Sequence, residues 1–304
     1  MRISTYWFLL LGVPLLHPPS SSGLKIVFRY TFDGITSDRV EFCDQDRRRM
    51  EYQGWTGGGK RLLGLPLDVR YTPRLASITR PDLGQAFDLN LDSGEYEVAP
   101  YPPKPLSKPE GEARGLKPLQ FVSDQPTLLL ETTTVDTGER KEFFGHTARH
   151  VITTVKQIPL AGSKSDAQEM VRDGWYDDVD TSISCGWKRP SGKPGHYFVT
   201  AGNAPIEKRE FVDKGEPERG FAFQQKTTTK EATTLSDGTR KDWSSVHEMR
   251  VIQLVEGPSD PGLFTVPTGF RQVKQIDRAW LPNQWSEWSV AWDRFKASVA
   301  RLFR

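Results

Sequence analysis

Leu24-Lys25-Ile26-Val27-Phe28-Arg29-Tyr30-Thr31-Phe32 decides the fold class. Leu24, Ile26, Phe28, Tyr30 and Phe32 fall on one side of an extended chain, with Lys25, Arg29 and Thr31 mainly on the other. Apolar residues at a period of two, with aromatic and β-branched side chains among them, form the pattern of a half-buried strand. Further along, Phe87, Leu89 and Leu91 alternate with Asp88, Asn90 and Asp92. Ser93-Gly94 then turns the chain into Tyr96 and Val98, which alternate with Glu95 and Glu97. A short Asp/Ser/Gly turn between alternating runs predicts a hairpin. The same reasoning places turns at Asp136-Thr137-Gly138 and Ser236-Asp237-Gly238. No long helical period interrupts these runs before residue 280, which disfavours parallel βαβ folding. The expected fold is mainly β: an antiparallel sheet followed by a C-terminal amphipathic helix.

Two stretches carry much of the Gly and Pro, Gly54 to Pro73 and Tyr101 to Pro118, and read as long surface loops within one domain, residues 23–275. Thr134 to Lys141 lies over Thr234 to Lys241 at an offset of 100 residues, and Val151, Ile152 and Val155 over Val251, Ile252 and Val255. This echo reads as two equivalent hairpins of one sheet, whether or not the unit is duplicated.

The 304 residues include 41 basic and 39 acidic side chains, a formal charge of +2, without the basic excess of a non-specific nucleic-acid binder. With 36% hydrophobic and 26% charged residues, the chain is neither a bundle of membrane spans nor a disordered polymer. Met1-Arg2, the short apolar run Thr5 to Leu16 and the small residues Ser20 to Gly23 fit a secretory signal peptide over residues 1–22. The run is shorter than the ~20 residues of an ordinary membrane span. Export to the periplasm or medium is therefore expected. In an oxidising compartment Cys43 and Cys185 become a disulfide candidate, closing a loop worth roughly 3–5 kcal/mol in the chain-entropy model; two free thiols are the alternative.

Several motifs look like chemistry and read better as structure. Gly54-Trp55-Thr56-Gly57-Gly58-Gly59-Lys60-Arg61 has phosphate-loop spacing, but Arg61 stands where Ser or Thr would hold magnesium, and Gly64 and Pro66 follow where a helix should open. Asp92-Ser93-Gly94 and Asp136-Thr137-Gly138 have the form used by paired aspartates, yet each sits where a tight turn needs Asp and Gly. His146 and His150 are four apart in an expected strand, which separates them along it; this is not a metal signature. Asp173, Asp177, Asp178 and Asp180 lack a calcium-loop pattern and read as a solvated turn. Neither a catalytic motif nor a metal or cofactor site is expected.

The segment Asp260 to Phe270, DPGLFTVPTGF, turns at Asp260-Pro261, packs through Leu263-Phe264, extends at Val266-Pro267 and ends at Gly269-Phe270. It resembles the terminal signature of exported bacterial domains of unknown function related to the LolA/LolB lipoprotein carriers. Arg80-Pro81-Asp82-Leu83 leading to Phe87, Leu89, Leu91 and Tyr96 looks like their central hairpin. The resemblance covers roughly residues 24–272. It implies a curved half-barrel whose concave face holds an acyl chain or another apolar ligand.

After Pro282, Asn283 can cap a helix from Gln284 to about Phe303, roughly 30 Å long. Trp285, Trp288, Trp292, Phe295, Val299 and Leu302 form one apolar stripe. Three surfaces compete for it: the chain's own sheet, a membrane interface through residues 284–303, and a partner helix. The expected function is an exported, non-enzymatic binding protein, holding an apolar or lipidic ligand or a protein partner between sheet and helix. Trp285, Trp288, Trp292, Phe295, Phe28 and Tyr30 are the expected ligand-binding residues. The alternatives are an envelope-attached adaptor using the helix at a membrane, and an exported hydrolase using Asp177, Asp178 or Asp180.

Overall fold

The computed structural model describes residues 23–56, 61–62, 65–66, 69–103, 123–177, 207–234 and 239–278. They form β1 (Gly23–Phe32), β2 (Ile35–Asp44), β3 (Arg47–Thr56), β4 (Arg61–Leu62), β5 (Leu65–Pro66), β6 (Arg70–Arg80), β7 (Gln85–Asn90) and β8 (Glu95–Pro100). There follow β9 (Leu128–Phe143), β10 (His146–Pro159), β11 (Gln168–Asp177), β12 (Arg209–Lys214), β13 (Ala222–Thr234), β14 (Arg240–Gly257) and β15 (Arg271–Gln272). Thirteen strands make one open sheet in the order β12-β9-β10-β11-β13-β14-β1-β2-β3-β6-β7-β8-β15, and β4 and β5 pair separately. Helix among the described residues is limited to short 3-10 turns at Pro81–Leu83 and Pro261–Phe264.

β1 is the central strand. It pairs on one side with β14 and on the other with β2, and so stitches the meander β1-β2-β3-β6-β7-β8 to the strands β9 to β14. The alternation read in its sequence holds: Leu24, Ile26 and Phe28 are buried in one cluster with Cys43, Ala148, Phe223 and Val251, and Tyr30 packs against it.

Four expectations need correction. The sheet is mixed, because β12 runs parallel to β9 and β15 parallel to β8. Both are edge strands brought back by long connections, the route that parallel pairing requires. The described residues support a long open sheet and not the carrier-like half-barrel. Residues 280–304, where the amphipathic helix is expected, lie outside the described residues, as do residues 1–22.

The third correction concerns Asp136-Thr137-Gly138, which does not turn the chain. It is a bulge inside β9, where the register with β10 shifts between Arg149 and Val151. The turn comes at Phe144-Gly145, with φ of 51° and 83°. Two successive positive φ values give the backbone twist that a tight hairpin needs. Aromatic packing fixes this position: Phe143 stacks on Phe223 at 5.4 Å, and Phe144 lies 6.4 Å from the same ring. The segment 234–241, by contrast, does span a hairpin, since Thr234 pairs with Arg240. The two echoing stretches are therefore not equivalent. Finally, the expected loop Gly54 to Pro73 begins and ends as paired strand, with Trp55 opposite Tyr71 and Thr56 opposite Arg70.

Register separates the two faces of the β1-to-β8 half. Lys25, Phe42, Arg49, Ile78, Phe87 and Val98 form one cross-strand row, and the neighbouring positions Ala76, Leu89 and Tyr96 share that face. DPGLFTVPTGF crosses this face. Phe264 is fully buried against Ala76, Ile78 and Leu89, with Leu263 and Phe270 beside it. Asp260 caps the turn by accepting from Gly262 N at 2.8 Å. Arg49 and Arg80 donate to the carbonyls of Leu263 and Phe264 at 3.1 and 3.0 Å, and the Arg47 guanidinium lies 5.1 Å over the Phe264 ring. The opposite face holds the rows Ile26-Glu41-Met50-Ser77-Asp88-Glu97 and Phe28-Arg39-Tyr52-Leu75-Asn90-Glu95.

Candidate ligand-binding face

The second of these faces carries the candidate site, and it grows out of the alternation of β1. Phe28 belongs to the core, 6% exposed, between Tyr30 at 6.2 Å and Phe221 at 6.0 Å. Tyr30 is half-buried, and His247 of β14 stacks on it at 5.9 Å. His247 also meets the edge of Phe32 at 6.1 Å, and Trp55 of β3 lies 6.0 Å from Phe32 on the other side. The rings thus pass from buried Phe28 to Phe32, 40% exposed, with Tyr52 of β3 also open at 37%. Apolar side chains at the end of a core row remain available for another surface to cover.

A charged group borders the rings. Glu41 is 2% exposed and takes the guanidinium groups of Arg39 and Arg48, each at 2.8 Å. A carboxylate removed from water in this way requires such partners. Arg39 also spreads over the rings of Phe28 and Tyr30, 5.1 Å from each centroid, where attraction between cation and ring face holds it in place.

Burial pushes the Tyr30 phenol above its ordinary value, and the neighbouring cations Arg39 and Arg48 pull against that shift without cancelling it. Desolvation by the surrounding rings also pulls His247 below its ordinary range. Both groups are therefore held neutral near pH 7. The strip suits an apolar body, and the Arg39 guanidinium over it suits an anionic end.

Of the expected ligand-binding residues, Phe28 and Tyr30 fall within this row. Trp285, Trp288, Trp292 and Phe295 lie outside the described residues. Cys43 sits in the core beside β1 and is disulfide-bonded; the sequence holds one other cysteine, Cys185, outside the described residues. Phe32 belonged to the alternation already read, but Trp55 sits inside a Gly-rich stretch that reads as loop. The run Arg47-Arg48-Arg49 reads as an undivided charge run until it is placed on a strand. There, successive side chains alternate faces: Arg47 and Arg49 face the DPGLFTVPTGF segment, and Arg48 faces Glu41.

The remaining candidates for chemistry do not converge. His146 lies against Phe223 at 5.8 Å and 3.5 Å from Glu256. His150 stacks on Trp175 at 4.8 Å, with Nε2 2.8 Å from Asp173 and Nδ1 3.1 Å from the Thr137 hydroxyl. That hydroxyl–imidazole–carboxylate chain lies on an exposed strand surface, and the nearby Gly138 N–H is already donated to Asp136. Asp177 is buried, and Asp178 and Asp180 lie outside the described residues. No group of three metal-ligating side chains occurs among the described residues. Arg61-Leu62 is strand where a phosphate loop would open a helix.

No protein-family model matches the chain, and no curated protein does. Among solved structures it is similar to "Structure of PNGF-II in C2 space group", with TM-score 0.29 and 8% identity over 83% of this chain, and it spans 30% of that protein's length. It is also similar to "Crystal structure of MucB in complex with MucA(peri)", with TM-score 0.10 and 8% identity over 78% of this chain and 94% of that one. Likenesses at these scores bear on neither fold nor function.

Proposed function

We propose that the chain is an exported binding protein that takes an apolar or lipidic ligand on the aromatic face of β14, β1, β2 and β3. The observation that carries this reading is the row Phe28-Tyr30-Phe32, which leaves the core and ends in Phe32, 40% exposed, with Trp55 and His247 against its ring. Burying ring surface contributes about 25 cal/mol per Å², so a few rings suffice for a ligand of lipid size. The Arg39 guanidinium, spread over the rings of Phe28 and Tyr30 and held by the buried Glu41, favours a ligand with an anionic end. A long-chain fatty acid has that chemistry.

Native mass spectrometry of protein purified from the producing cell tests this reading, together with titration by a dansylated fatty acid. The expected result is a bound mass of lipid size and a saturable titration. Phe32→Asp should weaken binding about tenfold, the loss of ~1.4 kcal/mol of contact. Arg39→Gln should weaken binding of the acid but not of its methyl ester. Binding unchanged by both substitutions would overturn the assignment to this face.

A further inference from the structure

We infer that Trp55 is the residue by which this face selects its ligand for chain length, taking acids of about eight carbons or more over shorter ones, and that Thr72 holds it in position. This selection rests on the ligand reading above and narrows the class of ligand. The first observation is the path of β3. Its last pair with β2 is Tyr52 with Arg39. Beyond it the register with β6 slips: Gln53 stands opposite Arg74 and Trp55 opposite Tyr71, so Thr72 and Pro73 share the single position of Gly54. A bulge of this kind bends the paired strands and re-aims a side chain. The end of β3 reaches towards β1, two strands away, and the centroid of the Trp55 ring lies 6.0 Å from that of Phe32. One residue fastens the bulge. The Thr72 hydroxyl accepts from Gly54 N–H at 2.9 Å and donates to the Pro73 carbonyl at 3.3 Å, and the Gln53 amide donates to the Thr72 carbonyl at 2.9 Å. A Cβ at position 54 would lie 3.1 Å from that hydroxyl, so the glycine is part of the fit.

The second observation is distance. The Arg39 guanidinium lies 5.1 Å from the rings of both Phe28 and Tyr30, between their levels on β1. Phe32 is about three residues further along, or ~10 Å at ~3.4 Å per residue. Each carbon–carbon bond of an extended chain advances ~1.25 Å, so about eight carbons cover the interval from Arg39 to Phe32. A shorter acid held at Arg39 lies over Tyr30 and stops before Trp55. A longer one runs on between Trp55 and His247, which flank the Phe32 ring at 6.0 and 6.1 Å, and every methylene it buries there adds to affinity.

Isothermal titration calorimetry of the full chain with hexanoate and with decanoate tests the selection. The parent chain should bind decanoate about tenfold or more the tighter. Trp55→Ala should weaken decanoate several-fold and leave hexanoate unchanged, which also reports an intact fold. Thr72→Val should do the same and Thr72→Ser should match the parent. The double variant should bind no more weakly than Trp55→Ala alone, as a residue acting through another requires. Arg39→Gln should weaken both acids alike. Equal losses for the two acids in Trp55→Ala, or none, overturn the selection; additive losses in the double variant overturn the positioning role of Thr72. Labelling with fluorotryptophan reads the placement without ligand. The Trp55 fluorine resonance, identified by its absence in Trp55→Phe, should move in Phe32→Ala and in Thr72→Val and stay in Thr72→Ser. A resonance indifferent to Phe32→Ala overturns the placement. If the parent chain binds neither acid while the fluorine shifts are as described, the ligand reading fails and the selection with it, whereas the placement of Trp55 by Thr72 stands.

Discussion

Ala76, Ile78 and Leu89 pack under a ring from the same chain, Phe264, which is fully buried, whereas Leu24, Ile26 and Phe28 continue through Tyr30 to Phe32, 40% exposed. Both rows begin as alternating strands with similar residues. They differ in what the chain brings back to cover them. DPGLFTVPTGF folds over the first and is fastened by Asp260, Arg49 and Arg80. No described segment returns in that way over Phe32. The first region therefore contributes chiefly to stability, while the second keeps apolar surface for something else to cover.

Phe264→Ala should break the closed region with the largest effect. Removing a fully buried phenyl costs about 3–5 kcal/mol; urea unfolding should show it as a fall in midpoint. Phe32→Ala, at the open end, should change stability by less than about 1 kcal/mol. Equal losses from the two substitutions would abolish the distinction. Next in size is Glu41→Ala, which takes the buried carboxylate away from Arg39 and Arg48; breaking a buried pair costs about 3 kcal/mol. The loss should shrink if Arg48 is also replaced by Met, which a double-mutant cycle measures. Gly145→Ala should cost about 1–2 kcal/mol, because φ of 83° there puts a Cβ in strain. The same change at Gly34 is a useful partner, also at φ of 83° and with open space around a new Cβ.

How much of this was legible in the sequence follows from which forces act locally. The alternation in β1 and the turn at Asp92-Ser93-Gly94 depend on neighbours a few residues away, and both appear as read. The burial of Leu263-Phe264 could be anticipated because both are apolar in a Pro-bounded turn. Asp136-Thr137-Gly138 misleads because a bulge and a tight turn both need Asp and Gly; the choice rests on Phe143 and Phe144 meeting Phe223, far away in sequence. The parallel edges depend on connections of a kind that no local pattern encodes. Trp55 joins the candidate face only because Gly54 and Trp55 continue β3 beside β6, which composition alone argues against.

The smallest expected effect bears on the open region and depends on pH. His247 has its folded-state pKa pulled below the ordinary value by desolvation between Tyr30 and Phe32. The unfolded chain then takes up the proton first, near pH ~6.5. Stability from this group is present above that pH and is lost as pH falls through the lowered folded-state value. His247→Gln removes the titration, so the fall in Tm between neutral and mildly acidic pH should be shallower in the variant than in the parent chain. Desolvation is the sole cause of the shift, so whatever covers the rings should deepen it. Bound fatty acid should lower the pKa of His247 further, which proton NMR of its imidazole measures. A pKa that rises on binding would place the carboxylate end of the ligand against His247 and away from Arg39, reversing the orientation proposed for the site.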